Sequence, residues 1–180
     1  MMAGEWFLLF FVWRGMRAYG TDVFSLIGDR WRTTWILTVD VGLGMILGLG
    51  LVWLDAFVQH LLGPDQASSI DQLLPQGPLE IALWVAVSIT AGVVEELVFR
   101  GYLMRQLAAR LRNVPLALVA QAVWFAAMHA YEGLNSVASI FVIGIVFGLV
   151  AVWRQQLRVN IVAHACIDLI EGIAPRLFGG

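Results

Sequence analysis

The chain contains no lysine. Its eleven basic residues are all arginine, set against thirteen carboxylates for a net charge of −2. That balance lacks the basic excess by which nucleic-acid partners are held, and it argues against them. Charge is scarce altogether, 13% of 180 residues against about 25% in an ordinary soluble domain. One cysteine, Cys166, leaves no room for an intrachain disulfide framework or a multi-cysteine metal site. Internal repeats and low-complexity tracts are missing, and only Gly63–Pro78 reads as a linker. What fills the chain instead is apolar, with 60% hydrophobic residues and a mean hydropathy of +0.81. This is the composition of a membrane protein rather than of a large soluble core. The opening "MMAGEWFLLFFVWRG" has Glu5 before its apolar run and arginines after it. A secretory signal has the reverse order, so the segment is expected to be retained.

A spanning helix takes about 20 mostly apolar residues. Thr33–Val58, Leu79 onward through the charged motif at 95–100, Val114–Ala130 and Ser136–Trp153 are long enough, and Val159–Leu177 is a fifth stretch broken by polar residues. Trp6–Trp13 is too short and reads as an interfacial helix with aromatic anchors, or as the end of a tilted extra span. The expected fold is therefore all-α, a polytopic transmembrane bundle of about five spans with an N-terminal interfacial helix. Residues 1–80 would hold that segment, the first span and an outer loop, and 81–175 a four-helix membrane core. Asn113 can cap the third helix with Pro115 in its first turn, and Gly133 can end it. Gly44/Gly48 and Gly144/Gly148 are G-x-x-x-G pairs, which either bring helix backbones close or reflect plain tolerance of glycine in lipid.

The arginines set an orientation. Arg14, Arg17, Arg30 and Arg32 precede the first span, Arg105, Arg110 and Arg112 follow the second, and Arg154 and Arg158 follow the fourth. The alternate connections carry Asp65 and Glu132 instead, and Arg176 is the one exception. The positive-inside rule then puts the N-terminus and both arginine-bearing hairpins on the cytoplasmic side.

Against this background, "GVVEELVFRGYL" (Gly92–Leu103) places charge where it is expensive. A charged group at mid-membrane costs at least ~2.5–3.5 kcal/mol, so such residues are candidates for function. Glu96 and Arg100, four apart, share a helix face and can neutralise one another as a structural ion pair. Glu95 points about 100° away and needs another partner. "FAAMH" offers His129, four after Phe125, and "HACID" offers His164, four before Asp168. Taking Asn113 as the hairpin tip, Glu95 lies ~27 Å and His129 ~24 Å along antiparallel helices, so the two sit at similar depth. Asp40 reads as a packing residue, Asp55 and His60 as solvated at the outer edge, and Cys166 as packing. Ser136 and Ser139 lack a serine-protease context.

In this order and on successive apolar helices, "EELVFR", "FAAMH" and "HACID" resemble the CPBP family, the CAAX-protease and bacteriocin-processing group also called ABI. Its E-E-x-x-x-R motif is matched by Glu95, Glu96 and Arg100, F-x-x-x-H by Phe125 and His129, and H-x-x-x-(N or D) by His164 and Asp168. The resemblance runs from Ile81 to about Ala174. It implies an intramembrane endopeptidase in which Glu95 and His129 activate a water, while His164 and Asp168 stabilise the oxyanion. The residue types suit those roles. A family asparagine at position 168 would donate through its amide, whereas an ionised aspartate only accepts; Asp168 orients His164 instead, or works protonated. Glu95, His129 and His164 also make the ligand set of a catalytic zinc site, so a divalent metal such as zinc is an alternative to metal-free chemistry. The implied partners are the bilayer and a peptide or prenylated protein substrate, and the expected location is a prokaryotic plasma membrane. Two other readings remain: a non-catalytic scaffold or bacteriocin-immunity protein on the same fold, and, with less support, a proton-linked transporter.

Overall fold

In the computed structural model, residues 2–18, 20, 22–28, 33–63 and 74–178 are described. Arg30, Arg32 and Asp65 lie outside them, as does the side chain of Arg176. The described residues are mostly helical, with no strand among them. In chain order the helices are α1 (Met2–Ala18), α2 (Val23–Ile27), α3 (Thr34–Leu62), α4 (Pro78–Glu95), α5 (Met104–Leu111), α6 (Val114–Met128), α7 (Leu134–Arg154) and α8 (Arg158–Phe178). A π-helical stretch, Glu96–Leu103, joins α4 to α5 without a break, giving one helix of 34 residues.

The expected all-α membrane bundle is therefore present. Among the described residues, three helices are long and apolar enough to cross a membrane: α3, Pro78–Leu111 and α7. Helix α6 is apolar but has only 15 residues, and α8 has 21 but carries Asp168 and Glu171. The first 18 residues depart from expectation, since α1 runs well beyond the short Trp6–Trp13 segment. Asn113 caps α6 through its side-chain oxygen, which accepts from the Leu116 amide at 2.9 Å. The helix stops at Met128, two residues short of the expected Ala130. Gly133 closes a following 3-10 turn (Ala130–Glu132) with φ 115°, a conformation that favours glycine.

Small residues bring the helices together. A Cβ on Gly48 would lie 2.9 Å from both the Ala163 carbonyl oxygen and Cys166 Cβ, and one on Gly44 would lie 2.5 Å from Val162 Cβ. Helix α3 thus rides on α8 at backbone distance, with Cys166 in the seam. Gly144 and Gly148 do the same for α7 against Ala122 and Leu118 of α6. These approaches supply close van der Waals contact where lipid offers no hydrophobic drive.

The two ends of the bundle differ. At the arginine end, the buried Asp40 of α3 accepts from Arg154 Nη2 at 2.8 Å, Arg158 Nε at 2.6 Å and Gln156 Nε2 at 3.2 Å. Arg158 Nη1 also donates to the Gly28 carbonyl and the Leu157 amide to that of Ile27, tying down α2. Val12, Met16, Leu26, Met104 and Leu157 fill the space beneath. At the other end, Asn135 Nδ2 donates to the Gly63 carbonyl at 2.7 Å, joining the start of α7 to the end of α3.

Candidate active site

Glu95 ends α4 just where the backbone widens into the π-helical turn, whose closing amide (Met104) reaches back five residues to the Phe99 carbonyl. Such turns are rare and frequent at functional sites. Here the turn carries Glu96 and Arg100 into the core, both fully buried, with Arg100 Nη1 2.8 Å from Glu96 Oε1. The guanidinium lies 4.2 Å from the ring centre of Phe125 and 5.1 Å from that of Phe147. A desolvated cation so enclosed gains from both ring faces.

Glu96 does more than neutralise Arg100. The same oxygen, Oε1, lies 3.1 Å from His164 Nδ1, and its Oε2 accepts from Asn160 Nδ2 at 3.1 Å. A paired carboxylate accepts, so Nδ1 of His164 carries the proton and Nε2 faces the other way. That face holds Glu95 Oε2 at 3.8 Å and Asp168 Oδ1 at 3.8 Å. His129 is not inside its helix but at the cap of α6, with φ −98°. From there its Nδ1 donates to the Phe125 carbonyl at 2.8 Å, which leaves Nε2 3.7 Å from Glu95 Oε2. Phe125 packs against both imidazoles, with ring centres 4.7 Å from His129 and 6.0 Å from His164. The four residues singled out from sequence are thus brought to one place.

Glu95 Oε2, on which the two Nε2 atoms converge, is buried and has no hydrogen-bond partner in the protein. It borders a cavity of about 290 Å³ lined also by Asp55, Trp84, Tyr131, Glu132, Phe147 and Glu171. Asp55 was expected at the solvated edge. It instead accepts from the buried Ser139 hydroxyl at 2.5 Å, because α3 packs against α7 there. Burial pushes the Glu132 carboxyl up against the lowering influence of His129, so it holds its proton to higher pH than a solvated glutamate. Trp84 Nε1 donates to the Asp168 carbonyl at 2.8 Å, fixing that turn of α8, and its indole lies over Gly172. The link of Glu96 to His164, the role of Asn160 and the ring of Phe147 were all missed from sequence. Asn160 stands four before His164, a spacing that could have flagged it.

One carboxylate and two imidazoles have the donor chemistry of a zinc site. Among the described residues, however, no three His, Cys, Asp or Glu side chains are gathered closely enough to hold an ion.

A family model, type II CAAX prenyl endopeptidase Rce1-like, matches residues 77–170, just over half the chain. The chain belongs to this family. Its membership agrees with the CPBP resemblance of the three motifs, and at family level it makes the chain an integral membrane protein of the intramembrane protease kind. No curated protein and no solved structure matches it.

Proposed function

We propose that this Rce1-like protein is an endopeptidase of a prokaryotic plasma membrane that hydrolyses a peptide bond by a glutamate- and histidine-activated water. Its substrate would be a membrane-associated polypeptide, of which prenylated CAAX-type tails are the kind the family name describes. The observation that carries the reading is Glu95 Oε2, a buried carboxylate oxygen with no hydrogen-bond partner and an imidazole Nε2 on each side. Native proteins rarely leave such an atom unmet, and its partner is then a water or a ligand.

Two atoms 3.7 Å apart can share one water at ordinary hydrogen-bond distance from each. In the proposed step, Glu95 and the lone pair of His129 Nε2 take a proton from that water as its oxygen attacks the peptide carbonyl carbon. The carbonyl π-pair moves onto oxygen, and His164, protonated and anchored by Glu96, offers its Nε2–H to the oxyanion. The proton held by Glu95 and His129 then passes to the amide nitrogen, the C–N bond breaks, and an acid and an amine leave. Asp168 completes the oxyanion side if protonated. A metal-bound alternative would rest on Glu95, His129 and His164.

The test is cleavage of a fluorogenic peptide library by purified enzyme and by Glu95→Gln and His129→Ala. Loss of a general base typically costs about 10²–10⁴-fold, and that is the expected drop in each variant, with helical content and melting midpoint retained. Undiminished cleavage by either folded variant would overturn the proposal.

A further inference from the structure

The cavity is not placed symmetrically in the bundle. Asp55 and Gln59 come from the last turns of α3, Trp84 and Val87 from the first half and middle of α4, Glu132 from the α6–α7 connection, Ser136 from the first turn of α7, and Asp168 and Glu171 from the middle and second half of α8. Every one of these lies toward the end that joins α3 to α7 through Asn135 and Gly63, away from the arginine clamp on Asp40.

Toward the arginine end the way is shut. Directly beneath the candidate site sits a layer of Glu96, Arg100, Gln121 and Asn160, each fully buried. Arg100, Gln121 and Asn160 donate to backbone carbonyls of α7, at Gly144 or Phe147, which locks the layer to that helix. Below it, Leu97, Val98, Phe99, Met104 and Leu157 make a continuous apolar plug with α1 and α2. A peptide could reach Glu95 from that side only by dismantling the ion pair and the plug together.

The charge distribution says which side is which. Nine of the eleven arginines, 14, 17, 30, 32, 105, 110, 112, 154 and 158, flank the closed end in sequence; Arg100 is internal, and only Arg176 falls at the other. By the positive-inside rule the closed end is cytoplasmic.

We propose that the cavity opens to the extracytoplasmic face, so that the substrate is an exported or outward-facing polypeptide segment rather than a lipidated tail presented from the cytoplasm. That there is a substrate rests on the protease reading above, whereas the direction of opening stands on the helix packing and the arginine distribution.

The experiment uses the full chain in native membranes with Cys166→Ala as background. Ser136→Cys and Gln59→Cys place thiols in the cavity, and Arg110→Cys places one at the closed end. A charged, membrane-impermeant maleimide is applied to right-side-out and inverted vesicles. The expected result is labelling of both cavity thiols at least tenfold faster in right-side-out vesicles, with Arg110→Cys showing the opposite preference. Faster labelling of the cavity thiols in inverted vesicles would overturn the proposal. So would cavity thiols that react from neither face while Arg110→Cys reacts normally. Labelling requires no cleavage, so a failure here leaves Glu95-dependent proteolysis intact, and an inactive enzyme would still report which face is open.

Discussion

An ionised aspartate accepts hydrogen bonds and cannot donate them, which makes Asp168 the residue whose chemistry is hardest to reconcile with an oxyanion. Its Oδ1 stands 3.8 Å from His164 Nε2, too far to hold the imidazole by a direct hydrogen bond. Donation by a protonated carboxyl is then the better reading, and it has a sign. Wild-type activity should fall as rising pH removes that proton, whereas Asp168→Asn, donating through its amide, should keep its activity over the same range. Asp168→Ala should lose about 10²-fold, the scale of one oxyanion donor. The pH–rate profiles of the three proteins check this; an asparagine variant as inactive as the alanine one would show that the carboxylate itself is needed. The individual catalytic candidates were legible in the sequence because charge within apolar runs is rare and costly. Glu96 as the anchor of His164 was not. Its partners, His164 and Asn160, come from a helix more than sixty residues away, and an i,i+4 arginine already accounted for its charge.

Among the elements, α3 carries four glycines, at 42, 44, 48 and 50, and the structure separates them. Gly44 and Gly48 face α8 at distances no side chain accepts, while Gly42 and Gly50 have nothing within 4 Å of a built Cβ. Gly48→Ala must push against a backbone carbonyl at 2.9 Å and is expected to cost about 1–3 kcal/mol, as overpacking generally does. Gly50→Ala should be neutral or slightly stabilising, since alanine is favoured over glycine in a helix by about 1 kcal/mol. Thermal unfolding in detergent distinguishes them, and equal midpoints for the two variants would mean that α3 does not pack on α8 as described. The helix positions themselves were largely legible from apolar runs and from Asn113 and Pro115. The π-helical turn after Glu95 was not, because a change of backbone register leaves residue composition untouched. For the same reason His129 reads as helical, although it sits past the end of α6, where its ring turns back onto the Phe125 carbonyl.

Across the whole molecule, the two ends do different work: one is locked by charge and one holds the cavity. The lock converges on Asp40, fully buried while its partners Arg154 and Arg158 remain in part solvated. Asp40 reads from sequence as no more than a packing residue, since arginines 114 and 118 residues along the chain carry no local signal of contact with it. Asp40→Ala would leave two cations and the Gln156 amide without their shared acceptor. Breaking a buried pair typically costs about 3–5 kcal/mol, and the partial exposure of both arginines puts this case toward the low end of that range. The expected outcome is a lower melting midpoint for Asp40→Ala, with cleavage at low temperature kept because Glu95, His129 and His164 are gathered beyond the buried Glu96–Arg100 layer. Asp40→Asn retains the acceptor oxygen without the charge, so it should fall between wild type and alanine. If instead cleavage and the melting midpoint were lost together in both variants at every temperature, the arginine lock and the catalytic end would have to be one cooperative unit, and the separation of roles between the two ends would not hold.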